Sequence, residues 1–288
     1  MKLTFFSYLL LPLLAAANVS GEGVRIIASD LIAPPLRDKL VAVAPDTVEW
    51  KWAGRLRADE EWAAGKVAAR IIAQRGEPSP AALENGVWRV PVGYFVPHFV
   101  VPVATPLNEL SIPQIRAIFG GREEQNLQVW RDLDIAGSLE GQGIIPVVQT
   151  NHRHLASEII RYEVLSAPHF RGNIRDGESA SEVWRILLAE AAALGLAGQA
   201  PSDRGLRVVP VRAAGETVAF LPTRENVYEG DYPLRLPLLL ELREEKVATL
   251  RPILEVLFSD EGAALMEAGG IVALPVSVRL RQLALLEE

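Results

Sequence analysis

Short β-branched runs recur along this chain with capped, amphipathic segments between them, and that alternation narrows its possible folds more than any other feature. "VRIIA" (Val24 to Ala28) has the length and apolar content of a buried strand. "SDLIAPPLRDKLVAVA" follows it. There Pro34 or Pro35 opens a helix reaching Ala44, because a proline in the first turn lacks only an N–H that has no helical partner. Thr47 to Trp52 alternates as a second strand, and "IIPVV" (Ile144 to Val148), "LRVVPV" (Leu206 to Val211) and "LRLPLLLEL" (Leu234 to Leu242) add more. Strands and helices taken in turn place the chain in the α/β class.

The helix signals differ in strength. In "PLNELSIPQIRAIFGG", Ser111 is an N-cap and Gln114 completes a capping box. Ile112, Ile115, Ile118 and Phe119 share one face, and Gly120-Gly121 stop the helix. "SASEVWRILLAEAAALGLAG" reads as one helix capped by Ser179 and Glu182. Asp59 to Gln74 reads as helical, with Trp62, Val67, Ile71 and Ile72 as its apolar stripe. After "IIPVV" and the polar turn Thr150 to His154, a helix runs to about Leu165, and Val247 to Phe258 and Asp260 to Ala268 form two closing helices before Gly269-Gly270. "VPVGYFVPHFVVPV" (Val90 to Val103) carries three prolines, which predicts one or two strands of edge or crossover character. Gln74 to Gly86 is a loop by its Gly, Pro, Ser and Asn content.

Met1-Lys2, an apolar run from Leu3 to Leu14 and then Ala15-Ala16-Ala17 read as a secretory signal peptide of residues 1–17. The competing reading is a membrane anchor, for which the run is short. The chain has no Cys, which rules out disulfides and zinc–thiolate sites and suits a bacterial periplasmic protein. The net charge is −7, and without Lys2 it is −8; no basic stripe accompanies it, so nucleic acid is not an expected partner.

No nucleophile elbow, P-loop, dinucleotide fingerprint or zincin motif occurs, and no enzymatic activity, cofactor or metal is expected. His152 and His154 are solvated loop histidines on this reading. Glu60-Glu61 and Glu123-Glu124 are solvated faces. Trp62, Trp130 and Trp184 are core residues, while Trp50 and Trp52 either pack or line a cleft.

Five stretches in order resemble the phosphate-binding proteins of bacterial ABC transporters. They are "RIIASDLIAPPLRDKL", "LNELSIPQIRAIFGG" with "VWRDL", "IIPVVQTNHRHLASEII", "GDYPLRLPLLLEL" and "FSDEGAALMEAGGIVALP". The resemblance spans nearly the whole chain after the signal peptide. It implies a two-lobed, hinged periplasmic-binding-protein-like (type II) fold. Lobe one would be residues 18–101 and 219–288, and lobe two residues 102–218, with "HFVVPVATP" and the stretch near Val211 to Leu221 as crossings.

The resemblance also implies an oxyanion site at loops that follow strands, where helix N-termini offer free N–H groups and an Arg adds a bidentate fork. Ser29 and Asp30 match the first loop, although the family's Gly and Thr are Ala28 and Leu31 here. The second loop corresponds to "AGRLRA" (Ala53 to Ala58), without its serine and second glycine. The family's Arg falls at Gln149 and its Ser-Gly-Thr at Arg153-His154-Leu155, which cannot close on phosphate in the same way. The expected ligand residues are Ser29, Asp30, Arg55, Arg57, Thr150, Asn151 and Arg153. With His152, the arginines would make a looser cationic cleft for a different anion, or be exposed charges on a degenerate site.

The functional expectation is a monomeric periplasmic solute-binding protein that holds phosphate or another small anion, with an ABC transporter permease as partner. The alternatives are an envelope protein-interaction module that has kept the fold and lost the site, and a secreted enzyme.

Overall fold

The computed structural model describes residues 23–75, 86–150 and 155–285. The expected signal peptide lies outside them, as do Asn151, His152, Arg153 and His154.

The chain opens with β1 (Val24–Ser29), α1 (Pro34–Val43), β2 (Val48–Ala53), α2 (Arg55–Ala63) and β3 (Ala69–Ala73). Pro34 and Pro35 start α1, and Leu36 and Leu40, one turn apart, are buried against the sheet. The helix expected over Asp59 to Gln74 is corrected. Helix α2 begins earlier and ends at Ala63, Gly65 turns the chain with φ +68°, and Ala69–Ala73 is extended. Ile71 and Ile72 therefore point to opposite faces, each into a different core cluster. The β-branched pair fits the slot between β1 and a later strand better than it fits a helix.

Next come β4 (Val87–Phe95), β5 (His98–Pro102), β6 (Leu110–Ser111) and α3 (Ile112–Phe119). Strands β4 and β5 are not edge strands; both are central. The sheet tolerates Pro91 because the register shifts opposite it, between Leu238 and Leu239. Helix α3 has the expected capping box. Ser111 Oγ accepts from the Gln114 N–H at 3.3 Å, and Gln114 Oε1 accepts from the Ser111 N–H at 2.8 Å. A short 3-10 turn then buries Trp130, whose Nε1 donates to the Ala192 carbonyl at 3.2 Å.

The chain continues with β7 (Ile145–Gln149) and α4 (Ala156–Ile159), which runs on as a π-helical turn over Ile160–Val164. Then follow β8 (Arg175–Gly177), α5 (Ala180–Ala189) and β9 (Ala193–Ala197). Here too the expected single helix is corrected: α5 stops at Ala189, and "ALGLA" is a fully buried strand. That run has no polar face to give to solvent, and Gly195 lets Leu187 and Val183 of α5 pack directly on the strand. Ser179 caps α5 as expected, but Glu182 accepts from the N–H of Glu178 rather than that of Ser179.

The last part holds β10 (Leu206–Val208), β11 (Val211–Arg212), β12 (Ala219–Phe220), α6 (Arg224–Glu229), β13 (Leu236–Arg243), α7 (Val247–Phe258), α8 (Asp260–Ala268), β14 (Ile271–Ala273) and α9 (Val276–Ala284). Helices α7 and α8 match their expected bounds. The sequence pattern did not reveal α6 or α9. Helix α9 is tied down by buried Arg279, which donates to the Phe258 carbonyl and to Asp260.

One six-stranded sheet has the order β14-β4-β13-β3-β1-β2, and one five-stranded sheet the order β10-β5-β9-β7-β8. A small sheet joins β11 and β12, in the stretch expected to contain the second crossing, to β6. His98–Pro102, expected within the first crossing, is instead a strand of the five-stranded sheet, so the chain passes between the sheets at Val96 and Pro97.

A charged cluster lies across the six-stranded sheet. Glu241 on β13 is fully buried and pairs with Arg70 of β3 and Arg89 of β4, its direct cross-strand neighbours. Arg70 also meets Asp59 at 2.6 Å and lies over the Trp62 ring.

Candidate functional site

The strand directions decide which ends of the two sheets meet. Strands β1, β2 and β3 are parallel and end together at Ser29, Ala53 and Ala73, and antiparallel β13 starts beside them. In the five-stranded sheet β7, β8 and β9 are parallel and end at Gln149, Gly177 and Ala197, and antiparallel β5 starts beside them at His98. The crossing at Val96–Pro97 joins these two edges. The Tyr232 hydroxyl donates to the Pro97 carbonyl at 2.5 Å, and burial raises its pKa well above the usual phenol range. Carboxyl ends of parallel strands are where open α/β sheets place ligands, because the loops there are free to vary while the sheet holds their roots.

A cavity of about 370 Å³ lies between the two sheets. One wall presents Arg55 from the start of α2, Arg75 just past β3, and Arg235 just before β13. The other wall presents Glu158 from α4 and Glu163 from the π-helical turn that continues it. Ala73 and Leu236 on the first side, and Leu155, Ile159 and Tyr162 on the second, supply the apolar lining. Arg75 Nε meets Glu163 Oε1 at 2.6 Å and bridges the walls.

The remaining charges have local partners. Arg55 meets Asp59 at 3.2 Å, and Glu158 meets Arg161 at 3.3 Å. Arg235 donates to the carbonyls of Val227 and Tyr228 at the end of α6 and lies over the Tyr94 ring. A cation there suits the negative end of a helix. The first N–H groups of α2 receive no side-chain cap, so Arg55 stands where a helix start already favours an anion.

Of the described residues expected to bind ligand, only Arg55 lines this cavity. Ser29 is buried, and its Oγ accepts from the N–H of Leu31 at 3.2 Å, closing its own turn. Asp30 is exposed, and its carbonyl accepts from Arg37. Arg57 turns away to Glu60 at 3.4 Å and Glu61 at 2.8 Å. Thr150 is half-buried, and its N–H donates to the Gly177 carbonyl at 3.0 Å. Asn151 and Arg153 lie outside the described residues.

Gln149, where the family resemblance places an arginine, is buried and accepts from the Gly198 N–H at 3.1 Å, tying β7 to the end of β9. Trp50 and Trp52 stack on each other with centroids 5.1 Å apart and pack on the core beside β1; they do not line the cavity. Sequence reasoning missed Arg75, Arg235, Glu158 and Glu163. Arg235 had a weak signal in "GDYPLRLPLLLEL", and the others had none, since an Arg in a polar loop and a Glu on a short helix read as solvated. Among the described residues no group of His, Asp and Glu is placed to hold a metal ion, and no helix is long and apolar enough to cross a membrane.

Solved structures share this overall architecture. A possible phosphate binding protein from Planctomyces limnophilus DSM 3776 superposes with a TM-score of 0.65 at 15% identity, covering 93% of this chain and 99% of that one. PstS from Borrelia burgdorferi gives 0.66 at 14% identity, covering 88% and 98%. An ABC-type phosphate transport receptor from Vibrio cholerae gives 0.58 at 15% identity, covering 88% and 100%. No family model and no curated protein sequence matches the chain. The chain therefore has the two-lobed, type II periplasmic-binding-protein-like α/β fold, and that fold resembles the one seen in phosphate-binding proteins.

Proposed function

We propose that this chain is a periplasmic solute-binding protein that takes a small anionic solute, phosphate or another oxyanion, between its lobes and serves an ABC transporter permease as a monomer. It binds and releases its solute and carries out no reaction. The lobes would be residues 18–101 with 219–288, and 102–218, with the first boundary drawn back to Val96 because β5 pairs in the five-stranded sheet. The observation that carries this reading is the cavity between the carboxyl ends of both sheets, with Arg55, Arg75 and Arg235 on one wall. Of the residues expected from sequence, Arg55 keeps a direct role and Ser29 and Thr150 shape the neighbouring turns. Solute would favour the closed arrangement by contacting both walls at once.

A thermal-shift series with phosphate, sulfate, molybdate and small organic acids tests this reading. A solute at 100 times its dissociation constant should add about 2.7 kcal/mol, a shift of several degrees. A flat series with an unchanged scattering radius would defeat it. The second reading, an envelope interaction module with the fold kept and the site lost, is favoured by one observation: the Arg75–Glu163 pair already joins the walls. Recovery of a stoichiometric envelope partner together with a flat series would establish that reading instead.

A further inference from the structure

Among the described residues, the charges lining the cavity are sorted by wall. Arg55, Arg75 and Arg235 come from the side of the six-stranded sheet, and Glu158 and Glu163 from the side of the five-stranded sheet. A bare oxyanion at the arginines would face Glu158 and Glu163 across the cleft, of which Glu158 is paired with Arg161 on its own wall. Like charges at close range disfavour that placement, more so as closure removes water. The Arg75–Glu163 pair joins the two walls through opposite charges. A solute that takes over both sets of charges presents an anion to the arginine wall and a cation to the glutamate wall.

The size of the cavity points the same way. About 370 Å³ lies in the range of sites for organic ligands, and the lining includes Leu155, Ile159, Tyr162 and Leu236. An inorganic oxyanion has no apolar surface for these side chains to cover. A short organic spacer between the two charged ends does.

We infer that the solute is a small organic zwitterion, an anionic group and an amine joined by a short apolar spacer, held with its anion at Arg55 and Arg75 and its amine at Glu158 and Glu163. This rests on the solute-binding reading above and replaces its bare oxyanion with an anionic group that carries an amine. Glu163 would exchange Arg75 for the amine of the solute, and Arg75 would exchange Glu163 for the anion. Both side chains are accessible enough for this, 62% and 42% exposed for Arg75 and Glu163.

The test is calorimetric titration of the full chain, unfolded and refolded to remove carried solute. The probes are phosphoethanolamine against ethyl phosphate, and γ-aminobutyrate against butyrate, with inorganic phosphate alongside. The expected result is that at least one zwitterion binds at least tenfold more tightly than its matched anion, and that the Glu158→Gln/Glu163→Gln variant loses this preference. If the double variant fails to fold by circular dichroism, Glu158→Gln alone is read. Binding of inorganic phosphate or a matched anion as tightly as the zwitterion overturns the inference and leaves the solute-binding reading standing. A preference that survives in the variant also overturns it, because the acidic wall is then not what recognises the amine. No binding of any probe defeats both.

Discussion

Two of the arginine–glutamate contacts in this molecule lie under opposite conditions. At the middle of the six-stranded sheet, Glu241 is completely buried between Arg70 and Arg89 on neighbouring strands. In the cleft, Glu163 meets Arg75 with both side chains largely open to water. The chemistry is the same and the consequence is not. Water cannot replace a partner of Glu241, so that cluster holds β3, β13 and β4 in register. Water or a charged solute can replace either partner in the cleft, so that pair is free to exchange. Burial, not residue type, separates a charge that is fixed in place from one that can exchange partners.

The largest expected effect tests the buried side of that comparison. Glu241→Ala leaves Arg70 buried with Asp59 as its remaining carboxylate and should cost about 3 kcal/mol in urea unfolding. A loss under about 1 kcal/mol would place this cluster in the same class as the cleft pair. Next in size is the cleft itself. Arg75→Ala and Glu163→Ala should each cost less than about 1 kcal/mol, because exposed pairs contribute little. Each should nevertheless enlarge the scattering radius as the walls part. Raising salt to 1 M, where charges are screened beyond about 3 Å, should enlarge the wild-type radius in the same direction and leave Glu241→Ala as costly as before. Equal salt sensitivity at both places would break the comparison.

The smallest effect concerns an intermediate case, Glu61 on α2. The side-chain hydrogen bond from Lys51 holds its carboxyl below the ordinary value of 4.5, with Arg57 adding to the effect. A depressed carboxylate stabilises the fold above its unfolded pKa, and that contribution is lost as pH falls through the folded value. Stability should thus decline modestly below pH 4.5, and Glu61→Gln should flatten that part of the curve in melting experiments from pH 3 to 6. An unchanged slope in the variant would show that the Lys51–Glu61 pair does not contribute.

Much of the architecture is legible in the order of the residues. Caps and stops act locally, so Ser111 with Gln114, and the bounds of α7 and α8, follow from adjacent residues alone. The segments misread as helix, Ala69–Ala73 and Ala193–Ala197, share one cause. Short apolar runs suit a helix and a buried strand equally well by pattern, and the choice is made by the strands waiting on either side. The site is less legible still. Arg55 is anticipated from its place after β2, but Arg75 and Glu163 lie far apart in the chain and carry no motif.

By itself, then, the amino-acid sequence determined an α/β chain with strongly capped helices and strand-to-helix turns where an anion site would be expected. Only the tertiary structure decided that Ser29, Arg57 and Thr150 turn inward or to local partners, and that, among the described residues, three arginines face two glutamates across one cavity. The physical reason is distance along the chain. Caps, prolines and periodicity work over a few residues and can be read there, whereas the sign of each wall is a sum over side chains from α2, β3, β13 and α4, which come together only when both sheets have formed.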